Sequence, residues 1–158
     1  MSKIPLQFRH NGRDVAIFVD GGTNLLIALR ELIGDMTPKF GCGQGGCGTC
    51  SVLIDGELYL SCLTLAEMVA GRSVETLDAM KQGPNLHPLQ RAFADNFAAQ
   101  CGYCTPGMLM AAKALLDRNP SPSRDEVIEA ISGNICRCTG YEPIINAILA
   151  ASGGRVSA

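Results

Sequence analysis

The chain has 158 residues and a formal net charge of −2, and 47% of its residues are hydrophobic. This apolar share excludes a disordered chain, and the absence of a basic run excludes electrostatic binding to nucleic acids or membrane surfaces. No apolar run has the length of a membrane span, and the first residues show neither an apolar signal core nor a twin arginine. We therefore expect a cytoplasmic protein of one or two small domains.

The first half of the sequence predicts a small sheet with one packed helix. Residues 4–10 and 13–20 alternate apolar and polar side chains around Asn11-Gly12, a pair typical of a β-hairpin turn. Three further elements follow in chain order: a helical period at 24–32, a second hairpin at 51–60 around Asp55-Gly56, and a short strand at 73–77. With a cysteine-containing loop between the helix and the second hairpin, this order is the layout expected of a β-grasp, plant-type ferredoxin-like domain, which we assign to residues 1–79.

The second half changes to helices after a predicted linker at 81–88, which contains two prolines and a glycine. The first helical segment, 89–100, places Leu89, Phe93 and Phe97 on one face. Three more helical segments follow, at 106–119, at 123–132 with a capping box of Ser123 and Glu126, and at 142–152. The sequence therefore predicts an α+β protein whose residues 80–158 form a four-helix bundle.

All eight cysteines fall into two groups of four. The first group has the spacing C-x4-C-x2-C, then eleven residues and a cysteine; the second has C-x2-C, then thirty-one residues and C-x-C. In a reducing compartment, metal ligation explains such cysteines better than disulfides do. The groups, hereafter the first and the second cysteine group, are Cys42, Cys47, Cys50 and Cys62, and Cys101, Cys104, Cys136 and Cys138.

The first cysteine group has the spacing of plant-type ferredoxins, which hold a [2Fe–2S] cluster. Its loop is rich in glycine, so the backbone can approach the cluster closely and direct N–H groups at the sulfur atoms. Zinc and a purely structural group of thiols are the alternatives. Zinc sites favour C-x2-C pairs at two places, whereas this loop has one such pair, so the pattern favours iron and sulfide.

The second cysteine group lies in two predicted interhelical loops. Cys101 and Cys104 fall in the first loop, and Cys136 and Cys138 fall in the third. In an antiparallel bundle these loops lie at the same end, so both pairs are able to share one cluster. A disulfide between Cys136 and Cys138 would instead close a very small, strained ring.

Three motifs, GCGQGGCGTCSVLIDG, QCGYCTPGM and GNICRCTGY, contain seven of the eight cysteines, and Cys62 follows the first of them. With these motifs the chain resembles, over residues 3–150, the small iron–sulfur subunit of the molybdenum hydroxylases. That family includes xanthine dehydrogenase, aldehyde oxidoreductase, carbon monoxide dehydrogenase and 4-hydroxybenzoyl-CoA reductase. The second cysteine group, with its C-x2-C and C-x-C spacing, is more specific to this family than the first group is. All eight cysteines match the family's pattern.

The resemblance implies an electron-transfer subunit of a multi-subunit oxidoreductase, without a catalytic residue of its own. Electrons would pass singly between a molybdopterin centre on a large subunit and FAD on a medium subunit, or another acceptor, through two [2Fe–2S] clusters. The cluster of the second cysteine group would lie nearest the pterin, contacted by Gln100 and Cys138, and the other nearer the flavin. The assembly implied is a heterotrimer or a dimer of heterotrimers.

Two other functions are compatible with bound metal. An independent two-cluster ferredoxin-type carrier would dock transiently, but such carriers tend to be markedly acidic and this chain has a charge of only −2. A zinc-bound interaction module would be colourless and redox-silent. The subunit of a molybdenum hydroxylase is the function that the sequence favours.

Overall fold

A mixed five-stranded sheet occupies the first half of the part of the chain that the computed structural model describes, residues 3–81 and 83–153. Gln82, in the predicted linker, lies outside that part. The strand order is β2-β1-β5-β3-β4; β1 and β5 run parallel, and the other neighbours run antiparallel. The strands are β1 (Lys3–His10), β2 (Arg13–Asp20), β3 (Ser51–Ile54), β4 (Glu57–Leu60) and β5 (Ser73–Glu75).

Both predicted hairpins are confirmed. Asn11 and Gly12 have φ of 50° and 80°, and Asp55 and Gly56 have φ of 52° and 87°. Positive φ at both central residues matches the right-handed twist of the flanking strands. The second hairpin matters for the site, because it brings residue 51 opposite residue 60 and so returns the chain to its starting point.

The predicted helix at 24–32 is also confirmed, and its form is unusual. Helix α1 consists of an α-helical turn at Leu25–Ile27 followed by a π-helical segment at Ala28–Ile33. The Asn24 side chain accepts the Ile27 N–H at 2.9 Å and caps its start. Its buried residues pack against one face of the sheet.

Four longer helices follow: α2 (Pro88–Asp95), α3 (Thr105–Arg118), α4 (Arg124–Ile131) and α5 (Glu142–Ala151). Helix α2 packs against α5, and α4 packs against both α3 and α5. The predicted capping box of α4 is present, with the Ser123 N–H donating to Glu126 at 2.7 Å and the Glu126 N–H donating to Ser123 at 3.3 Å. Among the described residues, no helix is long and apolar enough to cross a membrane.

The prediction for the first of these helices was wrong at its end. It extended to residue 100, whereas α2 ends at Asp95. Phe97 adopts φ of 53°, its N–H donates to Ala94, and the Ala98 N–H donates back to Phe93 at 2.9 Å. This is the Schellman arrangement, with phenylalanine where glycine is usual. Phe97 therefore turns outwards and is 82% exposed instead of lying beside the buried Leu89 and Phe93.

Strand β3 joins the two halves of the molecule, because all four of its residues are buried. Val52 and Ile54 pack on the α1 side of the sheet, while Leu53 faces the other way into the core of the helices. Met80, at the end of the short 3₁₀ turn Leu77–Met80, packs into the same helical core. The helical half thus rests on one face of the sheet.

Candidate metal centres

The first cysteine group is assembled by the loop before β3 and by the β3–β4 hairpin. Cys50 directly precedes β3, and Cys62 follows β4, so the hairpin places them side by side. The Ser61 hydroxyl donates to the Cys50 carbonyl at 2.7 Å and fixes this closure. The thiols form two pairs within hydrogen-bonding reach, Cys50 with Cys62 and Cys42 with Cys47.

The two pairs of the first group have different surroundings. The backbone N–H groups of Gln44 and Gly46 point at the Cys42 sulfur from 3.5 and 3.3 Å. The Gln44 N–H, the neighbouring Cys47 thiol and the Gly46 N–H together lower the pKa of the Cys42 thiol to about 7. This confirms the expectation that the loop directs N–H groups at sulfur. Burial raises the pKa of the Cys50 thiol to about 11, with a further contribution from neighbouring Cys62. A cationic iron pair would stabilise all these thiolates.

The loop also depends on close packing that glycine permits. A Cβ added at Gly41 would lie 2.7 Å from the Cys47 sulfur, and one added at Gly45 would lie 2.5 Å from a methyl group of Leu63. At Gly41 the loop therefore has no space for a side chain. At Gly45 the exposed Leu63 side chain is free to move away, and the φ of 82° is what favours glycine.

The second cysteine group lines a single cavity of about 160 Å³. Cys101 and Cys104 come from the loop before α3, and Cys136 and Cys138 from the loop between α4 and α5. The Cys138 sulfur lies 3.5 Å from the Cys101 sulfur, and Cys104 and Cys136 are within hydrogen-bonding reach of each other. The remaining lining residues are Thr49, Tyr103, Ile135 and Arg137. The structure thus brings together cysteines separated by more than thirty positions in the sequence.

Burial differs across this cavity. Cys101 and Cys138 are exposed, whereas Cys136 is buried. Burial raises the pKa of the Cys104 thiol to about 12, and the adjacent Cys136 thiol adds to the effect. The Thr139 hydroxyl donates to the Cys136 sulfur at 3.1 Å, and the Cys136 N–H donates to the Tyr141 hydroxyl oxygen at 3.0 Å. One thiol pair is therefore enclosed and the other faces outwards.

The pairing of the thiols tests which metal group fits. Within residues 3–81 and 83–153, no set of three or more His, Cys, Asp or Glu side chains is arranged to hold a single metal ion. Each cysteine group instead presents two pairs of thiols. A [2Fe–2S] cluster takes two protein ligands on each iron, so two separated pairs fit it better than they fit one tetrahedral ion.

The two sites are also in direct contact, which the spacing of the cysteines does not indicate. The Ile135 N–H donates to the Cys47 carbonyl at 2.9 Å, and the buried Asn134 side chain donates to the Gly48 carbonyl at 2.9 Å. Thr49 lies 3.3 Å from the Cys47 sulfur and lines the second cavity. Thr49 and Asn134 are polar residues inside the cysteine motifs, one and two positions before a cysteine, and this placement is the sequence signal that could have identified them.

Gln100, predicted to contact a pterin, lies in the loop after α2 and is exposed. It directly precedes Cys101, but it is not among the residues that line the second cavity. Cys138, predicted for the same role, lines that cavity and is exposed.

Comparison with known proteins agrees with both halves of the molecule. Residues 8–80 match the family described as 2Fe-2S iron-sulfur cluster binding domain, and residues 73–149 match the family described as [2Fe-2S] binding domain. The small subunit of nicotine 6-hydroxylase from Paenarthrobacter nicotinovorans is 46% identical over 151 residues, which cover 96% of this chain and 91% of that subunit. The chain belongs to the family of small iron–sulfur subunits of molybdenum hydroxylases.

Solved structures of the family show the same fold. Quinoline 2-oxidoreductase from Pseudomonas putida 86 contains a chain that is 47% identical, with a TM-score of 0.93 and coverage of 96% of this chain and 94% of that one. The aldehyde oxidoreductase of Desulfovibrio desulfuricans is 40% identical with a TM-score of 0.91; the match covers 94% of this chain but only 17% of that one. In that enzyme the equivalent of this chain is part of a much longer polypeptide.

Membership of the family confirms the general function predicted from the sequence. The protein is an electron-transfer, [2Fe–2S] subunit of an oxidoreductase complex, and it works with a large partner subunit. The alternative of an independent carrier is set aside, because the similar chains are small subunits or segments of larger enzymes.

Proposed function

We propose that the two cysteine groups each hold one [2Fe–2S] cluster and relay single electrons between a molybdopterin centre on the large subunit and FAD, or another acceptor, on a further subunit. The observation that carries this proposal is the arrangement of eight thiols as four close pairs at two sites. A bound cluster would accept and donate one electron at a time. The polypeptide binds the clusters, sets their surroundings and holds them near each other.

The side facing the pterin is inferred from exposure. Cys101 and Cys138 are exposed at the mouth of the second cavity, and Gln100 is exposed immediately beside Cys101. A partner that covers this surface would meet a cluster ligand and a side-chain amide together. We therefore assign the pterin contact to Gln100 and Cys138, and no residue of this chain to bond-making chemistry.

The route through the chain is supported by the contact between the two sites. The hydrogen bond from the Ile135 N–H to the Cys47 carbonyl links a ligand of the first group to the residue before Cys136, a ligand of the second. Few covalent bonds and one hydrogen bond therefore separate the proposed ligands. Cys136 lies on the enclosed side of its cavity, so the relay through the protein is screened from water.

The wider assembly follows from the same proposal. Residues 1–79 would form the ferredoxin-like β-grasp domain and residues 80–158 a four-helix bundle, as the packing of α2 on α5 and of α4 on α3 and α5 suggests. The complex would be a heterotrimer with an FAD subunit, or a dimer of heterotrimers. A cytoplasmic location agrees with eight thiols kept for metal ligation.

Reciprocal cysteine variants of the complex test the ligand assignment. Cys104→Ser should reduce the iron content from about four to about two per chain and remove one of two EPR signals, while Cys42→Ser should remove the other. Both variants should bind substrate but no longer pass electrons to the acceptor. Four irons, or unchanged electron transfer in either variant, would show that these thiols do not hold the relay.

A further inference from the structure

The side chain of Thr49 touches a thiol of the first group, and the same residue lines the cavity of the second. It is buried, with 5% of its surface exposed. Its hydroxyl oxygen lies 3.3 Å from the Cys47 sulfur and 3.1 Å from the carbonyl oxygen of Lys39. The same residue lines the 160 Å³ cavity next to Cys104 and Cys136.

The surrounding backbone holds Thr49 in this place from several sides. The Lys39 N–H donates to the Thr49 carbonyl at 3.0 Å. A Cβ at Gly41 would lie 2.7 Å from the Thr49 hydroxyl, and a Cβ at Gly107 would lie 3.1 Å from its Cα. Gly41 leaves room for the hydroxyl beside the sulfur, and Gly107 leaves room for the backbone of Thr49.

A threonine hydroxyl has one hydrogen and here has two acceptors, the Lys39 carbonyl and, once the cluster is bound, the Cys47 thiolate. A hydrogen bond to a negatively charged acceptor is stronger than one to a neutral acceptor. Because the charge on the thiolates increases when an electron arrives, donation to sulfur stabilises the reduced state more than the oxidised state. Hydrogen bonds to the sulfurs are among the factors that set cluster potentials.

We propose that Thr49 is a positioning residue whose hydroxyl raises the reduction potential of the first cluster, so that electrons leaving the second cluster are drawn towards the first. The proposal rests on the ligand assignment above. In each transfer the second cluster loses one electron and the first gains it, and the hydroxyl hydrogen stays on Thr49. No bond is made or broken in the protein.

The test compares Thr49→Val with Thr49→Ser in the purified complex, because valine keeps the shape and serine keeps the hydroxyl. EPR-monitored redox titration should show the first cluster about tenfold harder to reduce in the valine variant, a shift of about 59 mV to lower potential. The serine variant should titrate like the wild type. The second cluster should keep its potential in both, since the Thr49 hydroxyl has no hydrogen bond to its thiols in the described chain.

Equal first-cluster potentials in the valine variant and the wild type would overturn the proposal, as would equal shifts in the valine and serine variants. If the valine variant does not retain its iron, Thr49→Ala replaces it in the same comparison with Thr49→Ser, since both only shorten the side chain. A wild-type complex with fewer than two EPR signals would instead refute the ligand assignment, so the two failures are distinguishable.

Discussion

Asp35 is a buried carboxylate, 7% exposed, that joins three parts of the sheet domain. Its two oxygens accept hydrogen bonds from Thr37 and Thr76 at 2.6 Å, and His10 lies at 2.9 Å. Burial alone would raise the pKa of Asp35, but the hydrogen bonds from His10, Thr37 and Thr76 outweigh it and hold the pKa well below its usual range. The ionised form therefore stabilises the fold.

Asp35→Asn keeps the shape of the side chain and removes its charge. We expect the free energy of unfolding at pH 7 to fall by about 2 kcal/mol, because four hydrogen bonds to a charged group, from His10, Thr76 and both the N–H and the hydroxyl of Thr37, are weakened. At pH values above 3.8, the ordinary pKa of this carboxyl group, ionised Asp35 contributes its stabilisation to the wild type. This stabilisation is lost as the pH falls further. The difference between the two proteins should therefore shrink below about pH 4.

Urea unfolding at matched pH values between 7 and 3 measures this difference. Because both proteins lose their clusters in acid, the result to use is the difference in free energy of unfolding between them at each pH. Asp95→Asn, at an exposed carboxyl at the end of α2, is the control and should leave stability unchanged. A difference that stays constant down to pH 3 would contradict a lowered pKa at Asp35.

At the scale of single residues, the sequence predicted the chemistry of the thiols but not their polar neighbours. Cysteine spacing is a local signal, so the two groups were evident. Asn134 bonds to Gly48, which is 86 positions away, and Thr49 faces a cavity made mostly of residues beyond 100. Such contacts depend on how the two halves dock, and the periodicity of a single segment does not predict that docking.

At the scale of elements, turns and caps were predictable because a few neighbouring residues determine them. Asn11-Gly12, Asp55-Gly56 and the Ser123 cap all formed as expected. The end of α2 was not predictable in the same way, since Phe97 continues the apolar pattern while the backbone leaves the helix in a left-handed conformation. Periodicity reports which face would be buried, and it does not report where a Schellman end interrupts the helix.

Leu53 on β3 provides a prediction at this scale, because it is a sheet residue that belongs to the helical core. It is 1% exposed, so Leu53→Ala should destabilise the protein by about 2–5 kcal/mol. Since the two halves share this strand, unfolding of the helices and loss of both clusters should remain a single transition. Thermal unfolding followed by far-UV circular dichroism and by cluster absorbance, at one scan rate, measures this.

Leu58→Ala is the matched control for this variant. Leu58 pairs with Leu53 across the hairpin but is exposed, so its loss should cost about 0.5 kcal/mol. Two separate transitions in the Leu53→Ala protein would mean that the halves fold independently despite the shared strand.

At the scale of the whole molecule, the two cluster loops are held together by a contact between backbones that leaves no space for a side chain. A Cβ at Gly107, in the first turn of α3, would lie 2.3 Å from the Gly48 carbonyl oxygen and 3.1 Å from the Asn134 amide. The Gly48 carbonyl is the group that Asn134 binds. Helix α3 therefore reaches the first cysteine loop only because residue 107 is glycine.

Gly107→Ala sets two effects against each other. Alanine is favoured over glycine within a helix by about 1 kcal/mol, but a methyl group at 2.3 Å from a backbone oxygen forces the loop and the helix apart at a cost of about 1–3 kcal/mol. We expect the clash to exceed the gain, so the thermal midpoint should fall. The magnetic interaction between the two reduced clusters, measured by EPR, should weaken as they separate.

Gly133→Ala distinguishes this effect from a general loss of glycine. Gly133 lies beside Asn134, but a Cβ there would meet no atom within 4 Å, and its φ is outside the left-handed region. That variant should keep both the thermal midpoint and the magnetic interaction. If the two alanine variants behave alike, the distance between the clusters is not set by the close approach of Gly107 to Gly48. If only Gly107→Ala moves the two clusters apart, the docking of α3 on the first cysteine loop determines the distance between them.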